Sequence, residues 1–350
     1  MIPQATVQCQ DLARFVVDVL TARDVPANDA QLTARSLIQA DQRGIHSHGT
    51  LRLPLYSEAL RLGGINPTPS MRFTQGAAGV ATLDADAALG QVAMQAAVDR
   101  VLELAGSQGI AAVAVHNSSH YGAGAFWSDQ LGAAGLLSII TSSTGPVVAP
   151  HGGSTKVLGT NPLTLGAPSA DGWPLTADLA TSNGAYGKVI AAKNEGTSLP
   201  EGWAVDADGR PTTDPVAAAE GSMIPFGGHK GSAVAVLLEA FAASLTGATF
   251  AFETVDIWSN PASRMNNGHL IVGIDSAAFG GSDHTRSRVA TLQQQVRDSG
   301  SGDRTVQSPG DPEHFRQSAS METITLAGST VRQLAQLAED LSLTPVPSHS

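Results

Sequence analysis

Between residues 161 and 182 the chain carries two apolar, strand-like runs, NPLTLGAP and WPLTADLATS, separated only by Ser169-Ala170-Asp171-Gly172. A gap that short cannot hold the crossover of a dozen or more residues that a parallel strand pair needs, so the two runs predict an antiparallel hairpin. WAVDADGRPTT (203–213) repeats the signal around an Asp-Gly turn. The spacing favours antiparallel hairpins over repeated strand–helix–strand crossovers. Upstream, the pattern predicts a helix over 90–105, a strand over 110–115, a helix over 123–134 and a strand over 136–141; downstream it predicts an apolar helix over 231–245 and a strand over 270–274. The polar, Gly/Ser-rich stretch 299–312 reads as a loop.

The N-terminal part follows a different period. Leu12, Phe15, Val16, Val19 and Leu20 have helical spacing with Asp11 as the expected cap. A second helix starts near Asn28, carries Leu32, Leu37 and Ile38, and stops at Gly44. A third follows Pro54 with Leu55, Ala59 and Leu62, and ends at Gly63-Gly64. A last helix over 330–341 is expected to return to this helical lobe.

With 350 residues, the chain exceeds one typical core, which fits two lobes. It is 42% hydrophobic and 15% charged, a globular composition, without the run of roughly 18 apolar residues that a membrane span requires. A net charge of -11 opposes general affinity for nucleic acid or anionic lipid, so an anionic ligand has to be met by a local cationic pocket. The start, MIPQATVQCQDLARF, has no basic and apolar export signal, and the single Cys9 cannot form an internal disulfide. The expected compartment is the cytoplasm.

RGIHSHGTLRLPLY (43–56) gathers His46, Ser47, His48 and Arg52 between two helices. His46 and His48 form an H-x-H pair, but the helical context and the lack of a clear third ligand set argue against a metal. An imidazole exchanges protons near neutral pH, as interconversion of carbonyl and alcohol requires, and a guanidinium fork suits a substrate carboxylate. NSSHYGAGAFW (117–127) joins a strand to a helix; its glycines suit either a phosphate at the helix start or simply a tight turn, and G-x-G-x-x-G is absent. Asp178, in DLATS, lies on an otherwise apolar strand, either as a satisfied structural acid or as the orienter of a catalytic histidine. PFGGHKGSAVAVLLEAF (225–241) sets Lys230 at the mouth of a helix, either simply as a solvent-facing residue or where an anionic ligand would offset its conflict with the helix dipole.

In this order, ADQRGIHSHGTLRLPLY, SSHYGAGAFW, GTNPLTLGAP, DLATS, GGHKG and SPGD resemble the malate/L-lactate dehydrogenase family of nicotinamide oxidoreductases, which is distinct from the Rossmann-type lactate and malate dehydrogenases. The resemblance runs from about Leu12 to the final helix. It implies an α/β fold in which a largely antiparallel, non-Rossmann sheet flanked by helices binds NAD or NADP (76–327). A helical lobe from both termini (1–75 with 328–350) packs beside it, and two subunits pair. It implies His48 as the acid/base histidine, Ser47 as its relay neighbour, Asp178 as its supporting carboxylate, and His120 as the proton carrier in some members. Arg52 and Thr160 fall at substrate positions. His120, Tyr121, Gly122, Thr160, Asn161, Asp178, Leu179, Ala180, His229, Lys230, Gly231, Pro309, Gly310 and Asp311 fall at cofactor positions. Asp311 stands where a Glu is usual, and NGAYGK departs from the commoner pattern after the DLATS segment. His46 matches no fixed position and is left to the loop.

The expected activity is hydride transfer between NAD(P)H and C2 of a small 2-oxo acid, the 2-hydroxy acid being the product. Reduction of a cyclic 2-imino acid such as piperideine-2-carboxylate is the alternative within the family. An inactive nucleotide-binding scaffold and a metal hydrolase using His46 and His48 are the rivals outside it.

Overall fold

The computed structural model describes residues 4–349. In chain order, β1 (Gln4–Gln8) runs straight into α1 (Cys9–Thr21), followed by α2 (Ala27–Gln42), α3 (Leu53–Leu62), the hairpin β2 (Arg72–Ala77) and β3 (Val80–Ala88), α4 (Gly90–Gln108), β4 (Ile110–Ser118), α5 (Gly124–Ala133) and β5 (Leu136–Ser142). Next come β6 (Leu163–Ala167), β7 (Leu175–Leu179), α6 (Tyr186–Glu195), β8 (Ala204–Val205), β9 (Pro211–Thr212), α7 (Pro215–Glu220), β10 (Ser222–Met223) and α8 (His229–Ala243). The chain closes with β11 (Asn267–Asp275), α9 (Ser282–Arg297), α10 (Asp311–Ala319), β12 (Thr323–Ala327), α11 (Gly328–Leu341) and β13 (Ser348–His349).

Seven strands form the main sheet in the order β2-β3-β4-β11-β5-β6-β7. Only β3 and β4 pair in parallel, across the α4 crossover; the other neighbours are antiparallel. Both predicted hairpins form, β6 against β7 and β8 against β9. The central strands β4, β11 and β5 are the most continuously apolar, as strands covered on both faces must be. Helices α4 and α5 pack on the sheet, with Met94, Val98, Val101, Trp127 and Leu131 fully buried.

The terminal lobe is not purely helical. β1 pairs with β12 and β13 in a three-stranded sheet, so both chain ends are tied together by backbone hydrogen bonds. Asp11 does not cap α1: the helix starts at Cys9, whose N–H bonds to the Glu322 carbonyl because β1 feeds directly into the helix. Gly44 and Gly63 do adopt the left-handed conformation, ending α2 and α3. One cluster of buried apolar residues runs from Leu12, Phe15 and Val16 through Leu334 and Leu337 to Val113, Val115 and Ile271 in the sheet, so lobe and sheet share a core. A smaller cluster around Val148, Val189, Met223 and Ala235 holds the β8–β10 region against α8. Among the described residues, no helix is long and apolar enough to cross a membrane.

Candidate active site

The 46–52 segment is shaped by one buried carboxylate at the end of α2. Asp41 accepts from the Thr50 N–H at 2.8 Å and the Thr50 hydroxyl at 2.7 Å, and shares a 2.9 Å bond with His46 Nδ1. A Cβ at Gly49 would lie 2.1 Å from Asp41 Oδ1, so a side chain there would displace the clamp. The chain is wound into two short 3-10 turns, His46–His48 and Thr50–Arg52, which run into α3 and place Arg52 and Tyr56 one helical turn apart.

His48 Nδ1 bonds to the Ser47 hydroxyl at 2.9 Å, and Arg52 Nε donates to the Ser47 carbonyl at 2.6 Å. The His48 ring stacks on His120, with centroids 5.4 Å apart. His120 follows β4, where the start of α4 packs so closely that a Cβ at Gly90 would meet the His120 carbonyl at 2.4 Å. His120 Nδ1 shares a 2.5 Å hydrogen bond with the Tyr56 hydroxyl, which accepts from Gln91 Nε2 at 3.2 Å. Trp258 completes the cluster: it stands edge-on to His120 at 5.3 Å and lies under the Arg52 guanidinium, 5.1 Å from ring centroid to Cζ. Thus the structure brings Ser47, His48, Arg52 and His120 together and adds Tyr56, Gln91 and Trp258.

The electrostatics follow from enclosure. Desolvation and the Arg52 charge push His48 down to about 4. Desolvation, together with His48, Arg52 and His269, pushes His120 well below the usual imidazole range. Both rings are neutral at pH 7. Burial raises Tyr56 to about 12, so it stays a phenol. Among the described residues no carboxylate forms an ion pair with Arg52, and none hydrogen-bonds to its terminal nitrogens. His46 belongs to Asp41 and His48 to Ser47, so the two are not arranged as a ligand pair.

Other sequence candidates occupy the flank of the sheet. Asp178 stands apart from His48: its carboxylate accepts from the Ala125 N–H at 3.0 Å and the Thr164 hydroxyl at 2.8 Å. It caps the start of α5 rather than orienting the histidine, because α5 approaches β7 so closely that a Cβ at Gly124 would touch both Thr164 and Asp178. Tyr121 packs edge-on against buried His269, and its hydroxyl is buried without a partner. Gly122 has φ +83° and lies against Ser36 and Gln91, which links this turn to the histidine cluster. The Thr160 N–H and carbonyl are engaged by Thr144 and Thr181. Asn161 Nδ2 donates to Glu239 at 2.6 Å, tying the loop before β6 to α8, while its Oδ1 is buried without a partner. Asp311 is also not displayed to a ligand: buried, it accepts from Arg297, the Ser308 N–H and Trp173 Nε1 and holds the SPGD turn closed. Gly310, at φ +92°, brings that turn against the Thr176 carbonyl of β7.

Leu179 and Ala180 are exposed at the end of β7, and the chain beyond them pairs with the segment that leads into α8, through Ser182 with Pro225 and the Phe226 N–H with the Thr181 carbonyl. Gly227 and Gly228 take positive φ immediately before α8, and a Cβ at Gly231 would lie 1.7 Å from the Phe226 carbonyl. His229 and Lys230 are exposed in the first turn. A tight glycine turn and an exposed lysine thus stand together at a helix start, chemistry that suits a dinucleotide's phosphates. The buried Tyr121 hydroxyl and Asn161 Oδ1, both unpartnered, leave polar atoms available for such a ligand.

Two neutral imidazoles and a guanidinium without an acidic partner among the described residues thus meet beside a largely antiparallel sheet outside the Rossmann topology, a set suited to the carbonyl–alcohol chemistry of an oxidoreductase. Comparison with known proteins gives its family. The sequence profile of malate/L-lactate dehydrogenase matches residues 7–335, and the chain belongs to that family. The solved sulfolactate dehydrogenase of Methanocaldococcus jannaschii superposes with a TM-score of 0.91 at 31% identity, covering 97% of this chain and 98% of that one. The (2R)-3-sulfolactate dehydrogenase (NADP(+)) of Chromohalobacter salexigens is 34% identical over 328 residues, 94% of this chain and 96% of its own. The Delta(1)-pyrroline-2-carboxylate/Delta(1)-piperideine-2-carboxylate reductase of Pseudomonas putida is 39% identical over 250 residues, 70% of this chain and 72% of its own.

Proposed function

We propose that the chain catalyses reversible hydride transfer between NAD or NADP and C2 of a small 2-oxo acid, interconverting it with the 2-hydroxy acid. The observation that carries this reading is Arg52, a half-buried cation with no acidic partner among the described residues, placed beside two neutral imidazoles. An uncompensated guanidinium is costly in such a setting unless a ligand anion completes it. The reduced nicotinamide supplies the hydride when bound. Lys230 and the α8 amides are assigned to its phosphates; Tyr121, Gly122, Thr160, Asn161, residues 178–180, His229, Gly231 and the Pro309-Gly310 turn are assigned to its other contacts.

Arg52 clamps the carboxylate with its two terminal nitrogens and so fixes C2 beside the histidines. His120 exchanges the proton with the C2 oxygen through Nε2, since its Nδ1 is held by Tyr56, a hydroxyl that accepts from Nδ1–H whether the ring is neutral or charged. His48, held by the exposed Ser47 hydroxyl, hydrogen-bonds the same oxygen. The test is turnover with NADH and NADPH against pyruvate, oxaloacetate and Δ1-piperideine-2-carboxylate. In that assay His120→Asn is expected to lose about 100-fold or more in kcat and His48→Asn less. Equal activity of His120→Asn and the wild type would remove His120 from the reaction. The relative that reduces cyclic imines favours a second reading, in which a C=N carbon takes the hydride in the same clamp.

The active species is a homodimer. Val236, Leu237 and Phe241 of α8, with Leu245 just beyond it, form an apolar stripe in which Leu237 is 56% and Leu245 57% exposed. A second copy of the chain covers it.

A further inference from the structure

Trp258 meets both the carboxylate clamp and a reacting histidine with an apolar ring. Its neighbour Ile257 is fully buried and anchors the loop, while Trp258 keeps 44% of its surface exposed. The loop is fixed from two sides. A Cβ at Gly64, past the end of α3, would lie 2.1 Å from the Pro261 carbonyl, and one at Gly145, past β5, would lie 2.6 Å from Asp256 Oδ2. The Asp256 carboxylate also accepts from the Ser259 N–H at 2.8 Å, closing the turn that carries the indole. A rigid, half-exposed ring is therefore presented at the cluster, with Arg52 over one face and the His120 ring meeting it at 90°.

The charge inventory is equally specific. Arg52 is the cation that the geometry sets against this cluster, over the Trp258 ring and beside the stacked histidines. One carboxylate satisfies it. A second anionic group on the substrate, whether carboxylate or sulfonate, would enter this cluster with two neutral imidazoles and an indole for company, and a buried charge without a partner is strongly disfavoured.

Resting on the 2-oxo acid reading above, we propose that Trp258 is the specificity-determining wall of the substrate pocket, and that the pocket takes monocarboxylic 2-oxo or cyclic 2-imino acids whose remaining substituent is apolar, in preference to substrates bearing a second anion. The indole stacks on Arg52 while the guanidinium binds the carboxylate, and its exposed surface receives the apolar substituent. Trp258 thus acts on substrate choice by packing and takes no proton.

The experiment measures kcat/KM of the full-length chain, with NADH and with NADPH, for 2-oxopentanoate, phenylpyruvate and Δ1-piperideine-2-carboxylate against oxaloacetate and sulfopyruvate. The expected ratio of the best apolar substrate to the better dianion is about 100-fold or more. Trp258→Ala is expected to reduce that ratio at least about tenfold, through KM more than through kcat, and Trp258→Phe to retain most of it. Unchanged thermal unfolding of both variants, as a half-exposed ring implies, keeps the comparison about substrate. Preference for oxaloacetate or sulfopyruvate in the wild type, or a ratio indifferent to Trp258→Ala, overturns this proposal and leaves the 2-oxo acid reading standing. Failure of all five compounds with both cofactors overturns the two together.

Discussion

Two imidazoles held neutral by enclosure and by one guanidinium set the pH behaviour of the site. For His48, with a folded value near 4, the unprotonated form predominates from about pH 5 upward, and burial with the neighbouring charges favours the unprotonated form of His120 in the same direction. Oxidation of a hydroxy acid needs that form as base, so its kcat/KM should be flat between about pH 5 and 9. Reduction needs the protonated form in the free enzyme, so its kcat/KM should fall about tenfold per pH unit over the same range. An inflection near the ordinary imidazole value in either profile would contradict this. Arg52→Lys should raise KM for the carboxylate substrate by about tenfold or more, since an ammonium cannot reproduce the planar fork. At this scale the sequence was most informative where chemistry is local: Ser47, His48 and Arg52 lie within one short segment, and Tyr56 follows Arg52 at helical spacing. Gln91 and Trp258 were illegible because their contacts with Tyr56, Arg52 and His120 arise only when distant segments fold together. Asp178 was legible as a carboxylate needing partners, but those partners are Thr164 and the α5 amides.

The turn between α2 and α3 depends on Asp41. Asp41→Ala leaves the Thr50 donors and His46 without their acceptor, and should cost about 3 kcal/mol in chemical unfolding and lower kcat/KM by freeing the turn that carries His48 and Arg52. The SPGD turn has its own clasp in Arg297, which bridges Asp311 and Asp171. The Arg297 hydrogen bonds hold the Asp311 carboxyl below its ordinary range. A depressed folded value gives stability that is present above the unfolded value and lost as pH falls through the folded one. Asp311→Asn should therefore cost about 3 kcal/mol at pH 7, and its gap to the wild type should close below about pH 4. Elements with a strong period or a short turn were readable: the β6–β7 hairpin, α4 with β4, and α5 with β5 all lie close to where the pattern places them. β1 was not readable, since five residues at the chain start acquire strand character only by pairing with β12. Nor was α9, a largely exposed helix with little apolar stripe to betray it.

For the whole molecule, the short gaps pointed to local antiparallel hairpins and the resemblance of the ordered motifs implied the largely antiparallel, non-Rossmann sheet, but the shared core of lobe and sheet could not be seen from separate periodicities. The proposed dimer puts its seam on the apolar stripe of α8. Leu237→Glu with Phe241→Glu should convert a dimer to a monomer in sedimentation at micromolar concentration, and a monomeric wild type would contradict that assignment. The central claim is that Arg52 and the His48–His120 pair serve one reacting carbon. It is tested most directly by steady-state reduction of 2-oxo acids by the wild type and by Arg52→Met and His120→Asn, with cofactor affinity followed in parallel. The expected result is cofactor-dependent turnover in the wild type and a loss of about 100-fold or more in kcat/KM in each variant, with cofactor affinity retained. Turnover that survives both substitutions, or a wild type that oxidises neither NADH nor NADPH with any such acid, would contradict it.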